Sequence, residues 1–262
     1  MNPPHEHSVV VGQRLGRIPN PPHKLDRLLS LSKYLTALPS PPTSCDRSEG
    51  ITDWPMYLND KLGDCAIACP SHQVEIFTKA ATGTAREVTD ADVLTAYESQ
   101  GYSPSDPATD QGCAPLSVLD YWRHTGIGGD TLYAYATVDP SDLNMVKTAL
   151  GLFYGVYLGV GLPLTAQSQD VWDVVDAAPA LNGAGTWGGH AIPAIAYDEQ
   201  GLAVVTWGAT KKMTWKFFSN YCDEVYACLP NDFAALPTHP LDNGLDFATL
   251  QQDMFAVGAI NE

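Results

Sequence analysis

The chain of 262 residues carries 30 acidic against 14 basic side chains, a formal charge of −16, with 45% apolar and 17% charged residues. Apolar content at the globular average, with 6 Trp, 12 Tyr and 7 Phe, is enough for a buried core and excludes wholesale disorder. Lys and Arg are few and cluster nowhere beyond Lys211-Lys212. The basic footprint demanded by phosphate backbones and anionic lipid surfaces is therefore missing, and neither nucleic acid nor a membrane is an expected partner.

The opening Met1-Asn2-Pro3-Pro4-His5-Glu6-His7 has neither a basic nor an apolar leader region, so cytoplasmic synthesis and residence are expected. Residues 1–53 read as a proline-rich arm, extended over a surface, with one amphipathic helix over Lys24–Leu38 that puts Leu25, Leu28, Leu29 and Leu35 on one side. Such an arm grips either its own domain or a neighbouring subunit. Residues 54–130 read as a helical lobe. Its first helix runs from an N-cap at Asp64 to about Ala81, with a kink or broken start expected at Pro70. Thr89-Asp90-Ala91-Asp92 opens a second helix to about Ser99, and Pro115–His124 is a third.

Residues 131–230 read as a mainly antiparallel lobe. Strands are expected at Thr131–Val138, Phe153–Leu162, Ala191–Tyr197, Leu202–Trp207, Met213–Phe217 and Glu224–Leu229, with a helix at Ser141–Leu150. Asp198-Glu199-Gln200-Gly201 reads as a hairpin connection. The uncharged stretch Thr148–Gln169 is interrupted by glycines and Pro163, which favours a buried strand over a membrane span. A tail over 231–262 carries a last helix at Phe247–Phe255. The fold class is α+β.

Six cysteines, Cys45, Cys65, Cys69, Cys113, Cys222 and Cys228, lie far apart in a chain too large to need stapling, so no disulfide framework is implied. Cys65, Cys69 and His72 share one helical face, but no fourth ligand for a structural zinc can be placed. No metal and no cofactor is expected. Chemistry concentrates in three segments: Asn59–Cys65, Gly188-Gly189-His190-Ala191 and Thr206-Trp207-Gly208. A cysteine in the first turn of a helix faces unpaired N–H groups and the positive end of the dipole, which favour thiolate. Cys65 is so placed. His190 opens a strand after two glycines, where a substrate backbone can approach and a thiol proton can be accepted.

With those residues in place, the layout resembles the papain-like cysteine peptidases, in which a cysteine on a helix of one lobe meets a histidine on the barrel of the other. Asn59 stands six residues before Cys65, where the family has an amide that helps form its oxyanion hole. Asp110-Gln111-Gly112-Cys113 resembles the family's Gly-Cys stretch ahead of a helix, His190-Ala191 its His-Ala, and Thr206-Trp207-Gly208 its Asn-Ser-Trp-Gly. The Cys65 to His190 separation is close to the family's roughly 130 residues. The likeness covers about residues 54–230 and extends to uncharacterised bacterial and bacteriophage proteins of this fold. It departs at the orienting asparagine, which falls at Val205 or Thr206. It departs again at Ala66, where the family has tryptophan, and at Leu62, where the usual partner of Cys113 would stand.

The resemblance implies a two-lobed fold and a thiol hydrolase for peptide or other amide bonds, with Cys65 as nucleophile, His190 as base, Asn59 at the oxyanion and Thr206 holding the histidine. Asp110, Asp198 and Glu224 are alternative orienters, Trp187 a cleft wall and Trp207 core. The expected partner is then a peptide or protein substrate. The alternative is an inactive papain-fold interaction protein, such as a virion component, gripping neighbouring subunits through its arm.

Overall fold

The computed structural model describes residues 12–21, 29–35, 40–232 and 244–259. The helical half holds α1 (Cys65–Thr82), α2 (Asp90–Ser99) and α3 (Pro115–His124). Ile67, Val74 and Phe77 of α1 are fully buried; each such side chain contributes about 1.5–3 kcal/mol on leaving water. Pro70 does not break α1, contrary to expectation. It removes the N–H that Ala66 O would receive, and the buried Tyr157 hydroxyl donates to that carbonyl instead at 3.2 Å. Thr89 caps α2 in a reciprocal box with Asp92, and Pro115 sits in the first turn of α3. Trp122 of α3 stacks on Phe77 with ring centroids 6.1 Å apart.

The second half is built on strands β1 (Cys45–Asp46), β2 (Leu132–Thr137), β3 (Val156–Leu162), β4 (Val171–Trp172), β5 (Gly188–Tyr197), β6 (Gly201–Thr206), β7 (Ala209–Thr214) and β8 (Cys222–Pro230). Helices α4 (Leu143–Leu152), α5 (Pro179–Asn182) and α6 (Trp215–Tyr221) interrupt them, and α7 (Phe247–Ala259) follows. The strand order is β2-β8-β3-β5-β6-β7-β4, with β1 added to β5. Each pairing is antiparallel except β4 with β7. β3 is buried on both faces, and Thr148–Gln169 is divided among the end of α4, β3 and a 3₁₀ turn. Among the described residues no helix is long and apolar enough to cross a membrane.

The sequence over 213–217 reads as a strand, yet β7 ends at Thr214 and α6 begins at Trp215. The Thr214 hydroxyl accepts the Phe217 N–H and caps the new helix, which overrides the β-propensity of its aromatics. Of the expected helix over Lys24–Leu38, residues 24–28 and 36–38 lie outside the described residues. Leu31–Lys33 forms one 3₁₀ turn, with Leu31, Tyr34 and Leu35 buried. The described parts of the arm pack on the chain's own domain. Ser30 bridges to Thr137 of β2, β1 pairs with β5, and residues 14–20 enter the space between the two halves.

Candidate active site

α1 packs across β5, bringing its first residue against the start of that strand. The backbone N–H groups of Ala191 and Gly16 are near enough to the Cys65 sulfur to lower its affinity for a proton. One residue back, His190 Nε2 lies 2.7 Å from the Thr206 hydroxyl oxygen. Its other nitrogen, Nδ1, has no hydrogen-bond partner among the described residues. If that nitrogen is to take the thiol proton, Nε2 carries the hydrogen and Thr206 Oγ1 accepts it. Of the two residues at that place in the sequence, Thr206 makes the hydrogen bond to the ring. Asp110, Asp198 and Glu224 form no bond to the ring among the described residues. Asp110 receives the Gly63 N–H and the Tyr97 hydroxyl, Asp198 holds the β5–β6 turn, and Glu224 faces another partner.

The imidazole lies flat against Trp207, centroids 4.5 Å apart at 12°. Trp207 and Gly208 form the centre of the β6–β7 turn, at φ 47° and 72°. Two positive φ values suit the right-handed twist of a tight hairpin, but a tryptophan in that conformation is strained, and here the strain aims the indole at the histidine. The expected roles of the two tryptophans are exchanged. Trp187 is buried against Trp207, and Trp207 is the partly exposed wall.

Asn59 is buried, and its amide nitrogen donates to Leu62 O and to Asp64 Oδ1, both at 3.1 Å. Asp64 is fully buried beside the cysteine, and burial pushes its carboxyl well above the usual range, with the Asn59 bond opposing. Cys65 and His190 are each 1% exposed. Burial pushes the Cys65 thiol up to about 11, against the pull of the Ala191 and Gly16 N–H groups. Burial, seconded by the charge of Arg17, pushes His190 down to about 3. Both groups are therefore held neutral, as thiol and imidazole.

Residues 13–20 form a strap across the junction of the halves, beside both residues. Toward the helical lobe, Arg14 N–H donates to Asn59 O, Cys113 N–H to Gly16 O and Ile18 N–H to Cys113 O, at 2.9–3.0 Å. Toward the strands, Arg17 N–H donates to Gly189 O at 3.1 Å and Trp207 Nε1–H to Arg14 O at 3.1 Å. The strap runs parallel to the Cys113 segment. Gly16 sits in a collar of glycines. A Cβ on it would strike the Gly63 carbonyl, one on Gly112 would strike Gly16 O, and one on Gly189 would strike Arg17 O.

The Arg17 guanidinium is buried, with Nη2 at 2.6 Å from both Glu224 Oε1 and Asp223 Oδ1. Asn20 adds its backbone N–H to Oε1 and its amide to Oε2 of Glu224, and Tyr226 donates to Oε2. The strap escaped the sequence reading. The glycines at 16, 63, 112 and 189, scattered over four segments, are the one signal that pointed to it. The six cysteines are all free thiols, and no cluster of three metal-ligating side chains occurs among the described residues.

No protein-family model matches the sequence, and no curated protein sequence matches it. Solved structures do resemble it. Xylellain, a cysteine protease from Xylella fastidiosa, superposes with a TM-score of 0.61 at 13% identity, over 85% of this chain and 99% of that one. Procathepsin B of Trypanosoma congolense gives 0.59 at 11% identity, over 83% and 86% of the two chains. Digestive procathepsin L 3 of Tenebrio molitor gives 0.57 at 14% identity, over 84% and 76%. The chain has the two-lobed papain-like fold that its Cys65, His190 and Trp207 segments imply.

Proposed function

We propose that this chain is a papain-like thiol hydrolase of peptide bonds, held latent by its own strap. The observation that carries the reading is the arrangement at the junction: Cys65 at the start of α1, its sulfur at the Ala191 N–H, and His190 tied through Nε2 to Thr206. With the strap out of the cleft, water returns and the Arg17 charge leaves. Returning water raises the affinity of His190 for a proton and lowers that of Cys65; departure of the Arg17 charge raises that of His190 further, while it withdraws a cation that favoured the Cys65 thiolate. Cys65 Sγ attacks the substrate carbonyl carbon while its proton passes to His190 Nδ1. The tetrahedral oxyanion is met by the Cys65 backbone N–H and by the Asn59 amide once that amide leaves Leu62 O. Collapse expels the amine, which takes the proton from His190, and water then hydrolyses the thioester.

A second reading, a papain-fold interaction protein without turnover, is favoured by the sealed cleft and by the engagement of the Asn59 amide in the closed state. Leu15→Glu separates the two, because Leu15 packs over Gly188 inside the cleft and a carboxylate there ejects the strap. On a fluorogenic peptide library the natural chain is expected to be slow and Leu15→Glu fast, with Leu15→Glu/Cys65→Ala inert. Silence of Leu15→Glu with its fold intact selects the second reading.

A further inference from the structure

We infer that the recess holding Arg17 is the specificity pocket of the open site, and that the substrate it takes carries a basic side chain within two residues of the bond attacked. The inference rests on the peptidase reading for what happens at Cys65, though the pocket's preference for a cation stands on its own geometry.

Glu224 is 4% exposed and opens from β8 into the cleft. A buried carboxylate needs a cation and donors. The fixed framework supplies only the Tyr226 hydroxyl, at 2.8 Å, while three of the four groups that reach Glu224 belong to the strap. Removing the strap leaves a carboxylate short of partners in an otherwise finished recess. The recess is shaped for a long cationic side chain. Gly159 lies opposite Glu224 in the β3–β8 register, and a Cβ there would run into the guanidinium, so its bareness makes the room. Asp223 lines the same end.

A cavity of about 210 Å³ beside Asp223 and Glu224, lined also by Ser30, Thr137 and Asp139, adds one further carboxylate and no basic side chain among the described residues. Arg17 meets both carboxylates through Nη2 alone, and its Nε and Nη1 find no partner among the described residues. One nitrogen between two carboxylates is a geometry that an ammonium satisfies as well as a guanidinium, so lysine and arginine both fit. The position is next to the chemistry: the Arg17 N–H donates at 3.1 Å to the carbonyl of Gly189, the residue before His190.

The test uses full-length Leu15→Glu, with Gly16→Val as a second strap-ejecting variant should the first not fold. Two readouts are taken. The first is equilibrium binding of the peptide Gly-Gln-Arg-Leu-Gly-Arg-Ile-Pro-Asn, a copy of residues 12–20, against counterparts with lysine, leucine or glutamate at the position of Arg17. The arginine and lysine peptides are expected to bind about tenfold or more tighter than the leucine peptide, with glutamate weakest, and Glu224→Gln removes the preference. The second is the rate at which peptidyl vinyl sulfones bearing the same four side chains label Cys65, with iodoacetamide as a control that ignores side chains. A basic preference in either readout that vanishes with Glu224→Gln supports the pocket. Equal binding of arginine and leucine peptides, or a preference untouched by Glu224→Gln, overturns it. A Cys65 inert to every electrophile, beside intact basic preference in binding, defeats the peptidase reading and leaves the pocket standing.

Discussion

Two histidines in this molecule are equally buried and equally reluctant to take a proton, and only one of them stands where the proposed hydrolase needs its base. His72, on the second turn of α1 beyond Cys65, and His190, on β5, are both pushed by burial to about 3. His72 packs between Trp54 and Tyr57, ring centroids 5.5 and 4.7 Å away, and its Nδ1 meets no polar partner among the described residues. His190 has Thr206 at one nitrogen, an indole across its face and a thiol beside the next residue. A depressed pKa thus reports desolvation in both. What marks a site is the directed set of neighbours.

The sharpest way to break this comparison is to exchange the two losses. In the Leu15→Glu background His190→Ala is expected to lower peptide turnover by about 10²- to 10⁴-fold. His72→Phe is expected to leave turnover unchanged; an equal fall from both would erase the distinction. Next in size is Arg17→Met, which strips the cation from Glu224 at a cost of about 3–5 kcal/mol in global stability, measured by denaturant unfolding. The same variant should raise the titration midpoint of His190 in imidazole proton spectra and leave that of His72 where it was, because Arg17 acts on His190 alone. Thr206→Val leaves a buried ring nitrogen unbonded, costs about 1–3 kcal/mol and slows alkylation of Cys65 in the strap-ejected chain.

The smallest effect is in the pH profile. Between about 3, the folded value of both histidines, and the ordinary 6.5, the unfolded chain binds more protons, so stability is lost as pH falls through that window. His72→Phe removes one of the two contributions, and its melting temperature should gain on the natural chain as the medium is acidified below 6.5. Glu75 works in the opposite sense. Burial lifts it to about 7, with the Tyr57 hydroxyl opposing, so the folded chain holds an extra proton above the ordinary 4.5 and loses stability as pH rises toward 7. Glu75→Gln should flatten that decline.

The elements that stand on short-range chemistry were legible in the sequence. The Thr89 box, the Pro115 start, the Asp198–Gly201 hairpin and the doubly buried β3 follow from capping, turn and burial patterns within a few residues. Cys65 and His190 were legible because a helix start and a glycine-led strand start carry local signatures. Pro70 misled because its repair is a hydroxyl 87 residues away in sequence, on Tyr157. The strap was illegible for the same reason at larger scale. Arg17 and Asn20 read as polar residues of an arm until Glu224 is brought to them, and a buried ion pair between distant segments leaves no periodicity.

The pairing of Arg17 with Glu224 spans 207 positions, and that distance sets an order of events during synthesis. Strap residues are made long before Gly189 and Glu224, so while the helical lobe and the first strands assemble only their docks at Asn59 and Cys113 exist. Closing so long a loop is the slowest kind of contact to form, and domains consolidate in the order in which they emerge. The strand side of the latch is therefore the last to close, by a segment that waits for β8. A nascent chain passes through the unlatched form before it reaches the latched one, and safety in the interval rests on how quickly the last strand is delivered.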